Sequence, residues 1–189
     1  MNNLEQFIRG GAEIVGSPQV VETSIGPAIQ FNGATDAIIL PDNPIIGLSK
    51  FSLELVFRPE IGGLPEQRIF HLGDSRGDRA LIETRLPGDG EWFLDTFISS
   101  GGSSCTLFNK ETRHQLGNWY HLAMIVDGHR MTNYVNSKME NHDVLDFNPL
   151  TGGRGSIGVR LNRVCWFKGC FFMVRITPEL LDPADFMTV

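Results

Sequence analysis

Glu83, Arg85 and Asp95 are the residues of this sequence best placed to act on a ligand. Glu83 and Arg85 lie in the apolar run Ala80–Leu86 and Asp95 in Trp92–Ile98, with Pro87-Gly88-Asp89-Gly90 as a turn between them. Across such a hairpin the two carboxyls can oppose each other. A polysaccharide-degrading enzyme would need two carboxylates flanking the scissile bond; with Arg85 beside them, the same residues also read as a salt-linked sheet face. A second group is Arg160, Asn162 and Trp166. If Ser156–Phe167 is one strand without a bulge, Ile157, Val159 and Leu161 face a core, and these three share the opposite face with Gly158. A guanidinium, an amide and an indole suit a sugar, the polar groups meeting hydroxyls and carboxylates while the ring meets the pyranose face. Glu83 and Arg85 would join that surface from another strand. The competing reading is a solvated outer sheet in which Trp166 is part of the packing.

Other chemistry is less well supported. His71, His114, His121, His129 and His142 have no metal-ligand spacing, and His121, inside an apolar run, reads as a satisfied core histidine. Asp74-Ser75-Arg76-Gly77-Asp78 offers hard oxygens that could ligate Ca²⁺, against the simpler reading of a polar loop. Gly152-Gly153-Arg154-Gly155 is no phosphate loop, because no helix follows it. Cys105, Cys165 and Cys170 are odd in number and lack a CxxC pair, so buried free thiols are expected. A formal net charge of −6 argues against a nucleic-acid binder. No apolar run approaches the ~20 residues of a spanning helix. Met1–Gly11 has no apolar signal-peptide core, which as written points to a reducing, cytoplasmic setting.

The elements that must position these residues are short strands. In Gly117–Asn136 two alternating runs, Trp119–Val126 and Met131–Val135, flank Asp127-Gly128-His129-Arg130, a hairpin signal. Tyr120, Leu122, Met124 and Val126 share one face. Phe51–Phe57 is the cleanest alternation, with Phe51, Leu53, Leu55 and Phe57 on one side. Further strands are expected at Ala12–Val15, Gln19–Glu22, Ala28–Phe31, Asp36–Leu40, Arg68–Leu72, Thr106–Phe108, Val144–Phe147 and Gly169–Ile176. Asn32-Gly33 reads as a hairpin turn, and Ser99–Ser104 as the most flexible stretch. Asn2–Arg9 suits one helical turn or a frayed arm, and Asp182-Pro183 suits the start of another turn. About a dozen strands in 189 residues, with 21 Gly and no composition break, predict one all-β domain over 1–189, with 1–11 as a loosely ordered arm.

Three segments in order resemble the laminin-G-like branch of the concanavalin A-like lectin/glucanase superfamily. Ala28–Leu40 (AIQFNGATDAIIL) is similar to its strand–FDG–strand entry, Phe51–Pro59 (FSLELVFRP) to its "FTVEAWVKP" strand, and Asn118–Ser137 to "W-x-H-V-A-x-V-x-D-G…YVNG". Ser156–Val159 and Phe167–Ile176 stand in the places of its "IG" and "F-x-G-x-IDEVRI" segments, with Phe172-Met173 where Ile-Asp-Glu is common. The resemblance implies a jelly-roll sandwich of two antiparallel sheets. It also implies a choice among non-catalytic glycan binding, protein binding or self-association, and enzymatic activity. The Glu-x-Asp-x-x-Glu spacing of the glucanases is absent. Leu81–Arg85 and Trp166–Gly169 resemble the "SELR" and "YFKAG" motifs of jelly-roll alginate lyases, but Trp166 stands where those enzymes have a tyrosine. The expectation is therefore a binding module, most readily for a glycan, through Arg160, Asn162, Trp166, Glu83, Arg85 and Asp95, with no cofactor required.

Overall fold

The structure, a computed structural model, describes residues 4–189; the first residues of the expected N-terminal turn or arm lie outside the described residues. Among the described residues, fifteen strands form two antiparallel sheets of a jelly-roll sandwich. The first sheet runs, in spatial order, β1 (Glu13–Val15), β4 (Ala37–Leu40), β14 (Arg154–Ile157), β6 (Glu66–Gly73), β7 (Arg79–Arg85), β8 (Glu91–Ser100) and β10 (His114–Gln115). β9 (Ser103–Phe108) pairs with another part of β8. The second sheet runs β13 (Lys138–Val144), β12 (Arg130–Val135), β11 (Tyr120–Val126), β5 (Phe51–Pro59), β15 (Lys168–Thr177), β3 (Ala28–Asn32) and β2 (Gln19–Val21).

Alternation explains the core. Phe51, Leu53, Leu55 and Phe57 of β5 and Tyr120, Leu122, Met124 and Val126 of β11 all enter the cluster between the sheets. From the first sheet, Ala80 and Ile82 of β7 and Trp92, Leu94 and Ile98 of β8 meet them. Phe57 makes edge contacts with Trp92 at 5.4 Å and Phe167 at 6.3 Å between ring centroids, a geometry favoured by the ring quadrupoles. Polar contacts also join the two sheets: Asn133 Nδ2 donates to Thr96 Oγ1 at 2.7 Å in the interior, and Tyr120 Oη donates to the Gln115 carbonyl at 2.7 Å. In so dry a place the Asn133–Thr96 bond constrains how the two sheets sit on each other. Phe7 of α1 (Leu4–Arg9) also packs into the core, against Phe171.

Several expectations are corrected. The glycine-rich stretch Ser99–Ser104 is the paired end of a β8–β9 hairpin, because Gly101 and Gly102 take positive φ and close a two-residue turn. Asn32-Gly33 is no hairpin, since β3 and β4 belong to different sheets. Asn32 Oδ1 instead accepts the N–H groups of Ala34, Thr35 and Asp36 and shapes an arch between layers. The strand expected at Val144–Phe147 is replaced by β13, a polar edge strand that needs pairing on one side only. Residues Asn136 and Ser137 both adopt positive φ to start it. The long strand expected over Ser156–Phe167 does not form. β14 ends at Ile157, and Gly158, Arg163 and Cys165 take positive φ as the chain leaves the ladder. Cys105 and Cys170 are buried free thiols, whereas Cys165 is half-buried.

The segment 158–167 lies across the outer side of the first sheet near β4. There Val159, Leu161 and Trp166 pack on Ala37, Ile39 and Val15 as a small second core. On the outer side of the second sheet, Glu54 is 0 % exposed. It is held by His121 at 3.0 Å, by Arg175 and by the backbone N–H of Met187 at 2.8 Å. Phe186 covers His121 and Tyr134, and Asp182 caps the 3-10 turn Pro183–Asp185 that precedes it. Burial alone would raise the Glu54 pKa, but the donors of His121, Arg175 and Met187 bring it to about 2.

Two expected outcomes follow from these contacts. A Cβ at Gly158 would meet the Phe31 ring at 2.7 Å, with φ at +84°. Gly158→Ala should therefore lower stability by about 2–3 kcal/mol, read as a lower urea midpoint. The depressed Glu54 pKa makes its contribution complete above pH ~4.5 and lost as pH falls towards 2, worth about 3 kcal/mol. The thermal midpoint should fall over that window, and the gap between wild type and Glu54→Gln should narrow as it does.

Candidate functional site

Outward positions on β7 and β8 are set by the same alternation that fills the core. Ala80 and Ile82 point in, so Arg79, Leu81, Glu83 and Arg85 point out; Trp92 and Leu94 point in, so Phe93, Asp95 and Phe97 point out. Glu83 lies directly opposite Asp95, as the hairpin reading expects. Arg68 reaches the same face through a register shift between Arg68 and Phe70 in β6, which pairs it with Glu83.

These residues form a ladder of alternating charge. Arg68 Nη1 meets Glu66 at 2.9 Å and also meets Glu83. Arg85 bridges three carboxylates: Glu66 at 2.6 Å, Glu83 at 3.1 Å and, through Nε, Asp95 at 2.7 Å. Glu83 is 2 % exposed and Arg68 4 %, so removing either would strand a buried charge. Burial pushes the Asp95 carboxyl upward, against the pull of Arg85. Glu66 is drawn down, because Arg85 and Arg68 outweigh its own partial burial.

Around the ladder lie two adjoining hollows that share Arg85 and Asp95. One, of about 320 Å³, is walled by Phe93, Phe108 and Lys110. The other, of about 210 Å³, lies among Arg79, Phe97, Thr106 and Arg160. Together they make a trough bounded by β9 on one side and by the 158–167 segment on the other. Phe108 is 50 % exposed at its rim. Arg160 Nη2 donates to the Ser75 carbonyl at 3.3 Å, and Arg79 Nη1 donates to the carbonyls of Arg76 and Gly77. The loop considered for Ca²⁺ thus supplies acceptors to two arginines. Among the described residues no group of three or more His, Cys, Asp or Glu is arranged to hold a metal. His71, buried beneath this loop, is held at about 4 by burial first and then by the charges of Arg160, Arg79 and Arg68.

The structure therefore brings Glu83, Arg85, Asp95 and Arg160 together but separates Asn162 and Trp166 from them. With the strand ended at Ile157, alternation no longer governs these positions: Asn162 is exposed in a turn, and Trp166 packs on the small second core. Arg79, Phe97 and Phe93 carried a usable signal, since they share parity with Glu83 or Asp95. Arg68 carried none, because its bulge is invisible in the sequence. A larger hollow of about 430 Å³ lies on the other sheet, lined by Trp119, His121, Asn136 and residues 187–189. The buried acid Glu54, which contacts the lining residues His121 and Met187, is already bonded on both oxygens.

Comparison with known proteins agrees with this architecture. The domain 4 of AbnA, a GH43 extracellular arabinanase from Geobacillus stearothermophilus solved with arabinotriose, is 22% identical with a TM-score of 0.68, over 92% of this chain and 84% of that one. A heptameric SAP-like pentraxin from Limulus polyphemus is 16% identical with a TM-score of 0.62, over 82% and 77%. The binding domain of Paraclostridial Mosquitocidal Protein 1 is 17% identical with a TM-score of 0.66, over 92% of this chain and 45% of that one. At these identities the likeness is one of fold. Among curated proteins, none matches the sequence. A family model of laminin G type, described as Concanavalin A-like lectin/glucanases superfamily, matches residues 32–185. The chain, as the order of its strand motifs implies, belongs to the concanavalin A-like lectin/glucanases superfamily.

Proposed function

We propose that this protein is a non-catalytic carbohydrate-binding module that takes its ligand in the trough on the outer face of the first sheet. The observation that carries this reading is the arrangement of that trough, where an ion-paired polar floor lies under an exposed aromatic rim. Arg85, Asp95, Thr106 and Arg160 offer donors and acceptors to hydroxyls, and the half-exposed Phe108 offers an apolar face to a sugar ring. The floor residues are pre-ordered by their salt bridges, which lowers the entropic cost of binding. The same pairing favours binding over hydrolysis: Glu83 is locked between Arg68 and Arg85, and Asp95 is engaged by Arg85 Nε. A general acid must reach the leaving-group oxygen within hydrogen-bond distance. The structural likeness to an arabinanase domain solved with arabinotriose supports the choice of ligand class.

A glycan array and polysaccharide pull-down with wild type, Phe108→Ala and Trp166→Ala tests the reading. Wild type should retain at least one polysaccharide, and Phe108→Ala should lose it at least tenfold with an unchanged melting temperature, its ring being half exposed. Trp166→Ala should lower stability by about 2 kcal/mol through lost packing on Ala37, Ile39 and Val159. Absence of binding to every neutral and acidic glycan would overturn the proposal. Release of new reducing or unsaturated ends would replace it with an enzymatic role for Glu83, Arg85 and Asp95.

A further inference from the structure

Charge in the trough is not balanced. The ladder uses Arg68 and Arg85 to neutralise Glu66, Glu83 and Asp95. Arg79 and Arg160 stand outside it, and neither has a carboxylate within ion-pair distance among the described residues. Adding the two to the five ladder members gives four arginines against three carboxylates, a local surplus of one positive charge in a protein of net charge −6. The surplus is concentrated at one end, where the Arg79 guanidinium lies 4.8 Å over the Phe97 ring.

Both guanidiniums are held in place with most of their donors unused. Each carries five N–H groups. Arg79 spends two bonds on the carbonyls of Arg76 and Gly77, and Arg160 one on that of Ser75. The Nε of each has no partner. Burial first and then the nearby charge of Arg160 lower the pKa of the Arg79 guanidinium, which stays charged, whereas Asp78 acts against this from beyond ion-pair distance. The Asp78 carboxylate already accepts the Gly101 N–H at 3.0 Å. The low value of His71, to which Arg160, Arg79 and Arg68 contribute after burial, reports the same positive field from beneath. Two like charges kept close, partly desolvated and fixed to backbone carbonyls, are arranged for an anion that the chain itself does not supply.

We propose that Arg79 and Arg160 clamp the oxyanion, carboxylate or sulfate, of an acidic sugar residue, with the rest of the oligosaccharide running along the trough over Thr106 and Asp95 towards Phe108. The proposal rests on the glycan-binding reading and narrows it to acidic saccharides. Lys110, with its Nζ 5.9 Å from the Phe108 ring centroid, places a further cation at the far end. A chain with charge on successive sugars would therefore meet positive charge at both ends of the trough. A neutral saccharide would leave the two guanidiniums without a counter-charge.

Calorimetric titration of the full chain decides between these outcomes, with oligogalacturonate against its methyl ester and chondroitin sulfate against its desulfated form. The acidic member of at least one pair should bind at least about tenfold more tightly than its partner, and binding should weaken as salt is raised. The first pair reports a carboxylate ligand and the second a sulfate. Arg79→Gln and Arg160→Gln should each weaken binding about tenfold, with the double variant losing it and melting temperatures close to wild type. Equal affinity for acidic and neutral members, or binding unchanged in the double variant, would overturn the clamp while leaving a glycan site on this face. No binding to any of the four or to neutral glycans would overturn both. The comparison of acidic and neutral ligands uses the unaltered protein, so it stands even if a variant fails to fold.

Discussion

The two-residue period of the β-strand is the constraint on which the rest of this molecule depends. Each strand of the sandwich gives one face to the interior, where Phe57, Trp92, Tyr120 and Phe167 interlock, and the other face must then find its own partners. On β7 and β8 the outward residues of the charged ladder are Glu83, Arg85 and Asp95. Their density is tolerable only because they are cross-paired: each carboxylate of the ladder meets a guanidinium, so charges that are largely shielded from water remain compensated. The trough is a by-product of core packing.

The second sheet solves the same problem in another way. Glu54 occupies an outward position on β5, yet it is fully buried, because the chain after Asp182 folds across it and donates the Met187 N–H. His121 and Arg175 complete its coordination from the neighbouring strands β11 and β15. On one outer face the buried acid is thus fully bonded, and on the other the trough carries surplus positive charge. That difference, more than any single residue, distinguishes the outer side of the first sheet from that of the second.

Gly158 links fold and site. At φ +84°, pressed against Phe31, it ends β14 and sends the chain over the outer surface instead of along it. Trp166 then serves as an anchor for this segment, together with Val159 and Leu161. Arg160 is carried to the rim of the trough, where the 74–78 loop fixes it. A strand in this place would have presented Arg160, Asn162 and Trp166 side by side; the turn keeps only the arginine for the trough and spends the indole on packing.

The sequence by itself determined the class of fold and the hairpin that opposes Glu83 to Asp95, because alternation and turn residues are local properties that survive in almost any context. It also placed Arg85 with them, by parity. Tertiary structure alone decided the rest. The register shift in β6 puts Arg68 on the face of Glu83, although its spacing from Phe70 would send both inward. The positive φ at Gly158, Arg163 and Cys165 breaks the run that alternation would have continued. The 74–78 loop joins Arg79 to Arg160, which are distant in sequence. Bulges, backbone reversals and loop-to-loop hydrogen bonds are set by what packs on the far side of the chain, and a linear pattern carries no record of that.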